Sequence, residues 1–235
     1  MDVAERLASV RTRIINAATR VGRSATEIRL IAVSKTVPVQ EMQLAYEAGQ
    51  LVFGENYVQE ARKKRTEFTQ LLGTANSPEF HLIGRLQRNK VREALECFEF
   101  IHTVDRIELA EVLSREALRR GKTQPVLIQV NVSGEASKSG VSGDGLERLV
   151  CDLLQLPGLA CRGLMSIGSF VPETAPESAR RQDFRKMEQL RRALEVKLGI
   201  RLPELSMGMS HDFELAIEEG ATMVRVGSAV FGPRE

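Results

Sequence analysis

The chain has 235 residues, 43% of them apolar and 27% charged, which is ordinary globular composition and long enough to bury a core without a metal or disulfide staple. Lys plus Arg (33) nearly balances Asp plus Glu (31), and a net charge of +2 excludes a dedicated polyanion binder. Without Trp, and with aromatics at 5%, the scattered basic residues lack the stacking set of a nucleic-acid binder, and Arg62-Lys63-Lys64-Arg65 reads as a solvated helix face.

Val3, Leu7, Val10, Ile14 and Ala18 recur at helical spacing, so an amphipathic helix is expected from Val3 to Val21. The β-rich run RLIAVSK (29–35) follows, then a helix after Pro38, a residue suited to a first helical turn. LVFGEN (51–56) leads to a charged helix ending near Leu72, and FHLIG (80–84) to a helix over Gln87–Cys97. FEFIHTV (98–104) precedes a helix over Asp105–Arg120, which Gly121 stops. PVLIQVNV (125–132) runs into a polar Gly/Ser loop at 133–145, the best candidate for a mobile segment, and a helix over Leu146–Leu156. LACRGLMSIG (159–168) precedes a long charged helix at 177–198, ELSMGMS (204–210) a helix at 211–219, and TMVRVGS (222–228) closes the series.

Strands alternating with helices imply right-handed crossovers and a parallel sheet. Eight such units in about 200 residues match an α/β (β/α)8 TIM barrel with an extra N-terminal helix. A doubly wound open sheet is the structural alternative. No linker or repeat interrupts the pattern, so residues 1–235 are expected to form one domain. Cys97, Cys151 and Cys161 form no CxxC pair, which suggests free, mostly buried thiols in a reducing compartment. The three histidines are widely spaced, and no metal site is expected. The N-terminus MDVAERLASVR is not expected to be a signal peptide, and no uncharged apolar run approaches the roughly 18 residues that span a bilayer. A soluble cytoplasmic protein with no membrane partner is expected.

Chemistry in such a barrel sits where strands end and βα loops begin. Lys35 ends an apolar strand. Its amine either snorkels to water or sits at the barrel mouth as a nucleophile suited to a Schiff base with a carbonyl compound. In MVRVG, Arg225 shares a face with Met223 while Val224 and Val226 point the other way. If that first face is inward, Arg225 points toward the region above Lys35, because the eighth strand adjoins the first on closure. Gly227-Ser228 offers backbone N–H groups with little bulk, at a turn where barrels often bind phosphate. Ser210 precedes HDFELAIEEG and reads as its N-cap, a natural anion site. A lysine, an arginine and a two-part phosphate cradle could surround one flat phosphorylated aldehyde, a description that pyridoxal 5′-phosphate (PLP) fits.

The blocks AVSKT (32–36), FGENYVQE (53–60), HLIGRLQRNK (81–90), NVSGEASKSG (131–140), GLMSIG (163–168) and SMGMSHDFELAIEEGATMVRVGSAVFG (206–232) resemble the YggS/PROSC family of pyridoxal phosphate homeostasis proteins. The likeness runs from about residue 3 to Gly232, and its specificity lies in several blocks in the right order. It implies a fold-type III PLP-binding barrel like the N-terminal domain of alanine racemase, with PLP as cofactor held as an internal aldimine on Lys35. It implies Arg225 facing the pyridine nitrogen and Ser210, Gly227 and Ser228 holding the phosphate, with Asn56 near the cofactor. Arg85 and Arg88 depart from the family pattern at the expected rim, where many relatives have Pro or a small residue and Ser.

An arginine cannot hand a proton to the pyridine nitrogen, so the ring would be a weak electron sink. Racemases of this fold add a second domain and a partner-subunit tyrosine. This chain ends at Glu235, and its only tyrosines, Tyr46 and Tyr57, precede most of the barrel. The expectation is therefore a monomeric PLP carrier without catalytic residues, affecting amino-acid and keto-acid balance indirectly, with PLP-dependent apo-enzymes as candidate partners. The alternative is a minor racemase or lyase with Lys35 as one base and His211 or Ser166 as another.

Overall fold

The computed structural model describes residues 1–73, 77–135, 138–169 and 171–233. Asp2 opens α1 (Val3–Arg20) with a reciprocal cap, accepting the Glu5 N–H at 2.8 Å while the Glu5 carboxylate accepts the Asp2 N–H at 3.0 Å. The strands β1 (Arg29–Val33), β2 (Val52–Glu55), β3 (Glu79–Leu82), β4 (Phe100–Val104), β5 (Gln124–Val130), β6 (Leu159–Ser166), β7 (Glu204–Ser206) and β8 (Met223–Val226) follow. They form a closed parallel barrel in sequence order. Ile31 pairs with Arg225 and Ala32 with Val226 where β8 meets β1, which excludes the open sheet.

The outer layer is α2 (Val39–Glu47), α3 (Val58–Leu72), α4 (Val91–Cys97), α5 (Ile107–Arg119), α6 (Gly143–Leu154), α7 (Glu177–Leu198), α8 (Phe213–Glu218) and the short α9 (Ser228–Phe231). The extra helix α1 packs on α2, α8 and α9, where Arg6 donates to the carbonyls of Val230 and Phe231.

Strand pleating divides the core in two. Outward residues such as Ala32, Phe53, Leu82, Ile101, Ile128, Leu164, Val224 and Val226 pack beneath the helices. Ile31, Phe100, Leu127, Met165 and Met223 form a separate plug inside the barrel. One pleat further along, Val33, Gln129, Ile167 and Arg225 line a cavity at the carboxyl ends of the strands. The period of two that makes the plug therefore also selects the cavity wall.

Several expectations need correction. β1 stops at Val33, so Lys35 lies in the following turn, and β7 covers only Glu204–Ser206. Lys64 is not solvated: it is 6% exposed, because the inward face of α3 carries it behind β1 and β2. Of the thiols, Cys97 is buried and Cys161 half-buried, with burial pushing Cys161 up to about 11, but Cys151 is exposed on α6. Among the described residues, no helix is long and apolar enough to cross a membrane and no His/Cys/Asp/Glu group could hold a metal.

Candidate ligand-binding site

The cavity at the barrel mouth encloses about 630 Å³, within the usual range for small-molecule sites. Its wall includes Lys35, Asn56, Ser210, Arg225, Gly227 and Ser228, so the structure brings together every site residue expected from the sequence. They come from the turns after β1, β2 and β7 and from the end of β8.

Lys35 sits in a tight turn between Ser34 and Thr36. Thr36 has φ 63°, a left-handed conformation that is costly for a β-branched residue. A buried network holds this turn. Lys64 donates to the Ser34 carbonyl (2.6 Å), Glu55 (2.8 Å) and Glu60 (2.7 Å). The Ser34 hydroxyl donates to Glu55 at 2.6 Å and the Thr36 N–H to Glu60 at 2.6 Å. Burial pushes the Glu55 carboxyl above its ordinary value, while the Lys64 ammonium and the Ser34 hydroxyl pull it down. The Lys35 ammonium itself makes no hydrogen bond or ion pair with any described residue.

Arg225 is 4% exposed on the cavity floor. It donates to Ser206 Oγ at 2.6 Å and to the Ser166 carbonyl at 2.8 Å. Burial draws its guanidinium down to about 10, partly offset by Asp212, so it stays charged at neutral pH. The Ser166 hydroxyl, next to the cavity-lining Ile167, has no hydrogen-bond partner among the described residues.

Ser210 does not cap α8, whose N-cap residue is Asp212. Its hydroxyl reaches across to the next βα turn and accepts the N–H groups of Gly227 (3.2 Å) and Ala229 (3.4 Å). Turns seven and eight are thereby joined into one cluster of small polar donors, with Ser228 exposed between them. Gly84 forms the wall beside Asn56, where a Cβ would lie 2.3 Å from the Asn56 carbonyl oxygen. The expected rim residue Arg85 also lines the cavity. Sequence reasoning missed Lys138, on the wall after β5, which donates to Glu135 (2.6 Å) and to the Gly168 carbonyl (3.1 Å). Its place in a Gly/Ser loop was the available signal. An accessible amine, a floor cation and a rim of hydroxyl and amide donors suit a small anionic carbonyl compound.

Comparison with known proteins agrees with this description. The family described as alanine racemase, N-terminal domain, matches residues 7–235, and the chain belongs to it. A protein of Aquifex aeolicus is 43% identical over 235 residues, covering all of both chains. One of Escherichia coli strain K12 is 45% identical over 237 residues, covering all of this chain and 97% of its own. Both carry the name pyridoxal phosphate homeostasis protein, and at that likeness over the whole chain this protein is a member of the pyridoxal phosphate homeostasis protein family. The solved structure of PipY from Synechococcus elongatus, with PLP bound, superposes with a TM-score of 0.83 at 38% identity, covering 98% of this chain and all of that one.

Proposed function

We propose that this protein binds PLP in the cavity at the barrel mouth and acts as a reversible holder of the cofactor. The residues fit the group: an amine with no partner among the described residues, a buried cation and a small polar cluster suited to a phosphate border one space of adequate size. When bound, PLP supplies an aldehyde that condenses reversibly with an amine. Lys35 is the residue that would take it. Arg225 would face the pyridine nitrogen, Ser210, Gly227 and Ser228 would hold the phosphate, and Asn56 would flank the ring. The observation that carries the reading is that Lys35 and the Ser210–Gly227–Ser228 cluster, far apart in sequence, face one cavity.

Reversible binding without turnover is the favoured role. Arg225 is held by neutral oxygens and remains cationic, so it supports no protonated pyridine ring. Of the two second bases a racemase or lyase could recruit, His211 lies on the cavity rim with its side chain 72% exposed, the setting of a surface residue, and Ser166 is buried and does not line the cavity. The reading further takes residues 1–235 as one domain, a monomer in the cytoplasm, with PLP-dependent apo-enzymes as recipients.

Purified protein mixed with PLP should turn yellow, and borohydride should fix the adduct on the peptide containing Lys35. Lys35→Ala should lose the visible absorbance. A wild type that stays colourless, or an adduct on another lysine, would refute the assignment. Incubation with L-amino acids in deuterated water should give no α-deuterium exchange. Exchange that disappears with Lys35 would favour the racemase or lyase instead.

A further inference from the structure

A chain of buried polar side chains runs down the barrel axis from the cavity floor. Arg225 donates to Ser206 Oγ at 2.6 Å, and Ser206 Oγ lies 3.1 Å from His102 Nδ1. His102 Nε2 lies 3.0 Å from His81 Nδ1, and His81 Nε2 faces Glu79 Oε2 at 3.6 Å. Ser206, His102 and His81 are each 0% exposed, whereas Glu79, at the first residue of β3, has its side chain 54% exposed at the opposite end of the barrel. The chain therefore passes through the plug layer, beside Phe100, whose ring lies 5.2 Å from His81 and 5.1 Å from His102.

The two charged ends favour one direction of donation. A guanidinium only donates, so Ser206 Oγ accepts from Arg225 and gives its own hydrogen to His102 Nδ1. His102 then carries its proton on Nε2 and donates to His81 Nδ1. His81 in turn carries its proton on Nε2, which makes no hydrogen bond among the described residues but faces the Glu79 carboxylate at 3.6 Å, close enough for electrostatic attraction. The reverse order would leave the Ser206 hydrogen without this acceptor and set a bare His81 nitrogen against a carboxylate.

We propose that Ser206, His102 and His81 are positioning residues that form a one-way hydrogen-bond relay, fixing Arg225 on the cavity floor with a guanidinium edge turned to the ligand ring. The proposal rests on the reading that PLP occupies the cavity with Arg225 opposite its ring nitrogen. Among the described residues Arg225 forms no ion pair, and Asp212 offsets its burial only in part, so neutral dipoles carry the rest of the compensation. Burial pushes both imidazoles below their ordinary value, His102 the further, which keeps both neutral as the relay requires.

Two measurements test this. In the unliganded wild type, two-bond proton–nitrogen NMR correlations at pH 7.5 should show His81 and His102 both as neutral Nε2–H tautomers. An Nδ1–H tautomer or an imidazolium at either position overturns the relay. Ser206→Ala cuts the link next to Arg225 while keeping the backbone of β7. It should still attach PLP at Lys35, but with its absorbance maximum shifted and affinity weakened by about tenfold or more, and Ser206→Thr should restore both. A folded Ser206→Ala protein with unchanged maximum and affinity overturns the proposal, and so does failure of the threonine to rescue. Should Ser206→Ala not fold, the tautomer measurement decides alone. A wild type that binds no PLP removes the underlying reading together with this role. A wild type that binds PLP with reversed tautomers removes the relay only.

Discussion

Lys64 Nζ lies 2.8 Å from Glu55 Oε1, sealed behind the turn that carries Lys35. Glu55 is 0% exposed and its second oxygen has no partner among the described residues, so this ion pair is the main compensation for a buried carboxylate. Lys64→Met should therefore cost about 3–5 kcal/mol in urea unfolding, because one charge is left alone in the interior. The penalty has a pH sign. Burial holds the Glu55 carboxyl above its ordinary value, and loss of Lys64 raises it further. The folded variant then takes up a proton more readily than the unfolded chain, so the penalty should be smaller at pH 5 than at pH 8. An equal penalty at both would contradict this account of the pair.

The Ser210 hydroxyl gathers the Gly227 and Ala229 amides into one donor cluster. Ser210→Ala should weaken PLP binding roughly 10- to 100-fold, the worth of one hydrogen bond to a charged group. Absorbance at saturating PLP should stay unchanged, since Lys35 is intact. Titration at constant ionic strength, with inorganic phosphate as competitor, separates the two quantities. Unchanged affinity would remove Ser210 from the phosphate cradle.

Gly84 matters for space rather than for backbone freedom. The Cβ of Gly84→Ala would sit 2.3 Å from the Asn56 carbonyl oxygen and 2.6 Å from its Cα. Neither neighbour is a flexible side-chain tip, so the turns after β2 and β3 must separate. The expected cost is about 1–3 kcal/mol of stability, with weaker PLP binding because Asn56 shifts. Thermal melts and a PLP titration check both, and a variant equal to wild type in the two would show that the wall yields freely.

Acid should destabilise the fold through the barrel interior. His81 and His102 are fully buried and held below their ordinary value mainly by that burial. The unfolded chain protonates both as pH falls through about 6.5, while the folded protein resists, so stability should drop by roughly 1.4 kcal/mol per pH unit per histidine. Glu55 contributes the opposite slope, and a comparison in which it is unchanged cancels it. The melting temperature of the wild type should therefore fall more steeply from pH 7 to pH 5 than that of a His81→Asn/His102→Asn double variant. Parallel profiles would mean that the imidazoles protonate in place.

The barrel was legible because its signals are local. Strand alternation put Met223 and Arg225 on one face and Val224 and Val226 on the other, and the structure turns the first face inward. Lys35 and Gly227 were legible as residues at the ends of strand-like runs, and Asn56 through the family resemblance; all three line the mouth. The strand ends were less legible, since RLIAVSK reads as one run while hydrogen bonding stops at Val33. Ser210 misled because a serine before a helical pattern signals a cap, and nothing local reveals a better partner 17 residues on.

The sequence by itself determined the order of strands and helices, the two alternating faces of the eighth strand and the residues near the barrel mouth, because each depends on neighbours a few positions away. Only the tertiary structure decided that Lys64 is buried on Glu55, that Ser210 serves the eighth turn, and that His102 meets Ser206 across 104 positions. Those contacts exist because closing β8 onto β1 forces inward polar groups from distant strands into one low-dielectric interior, where each must find a hydrogen-bond partner.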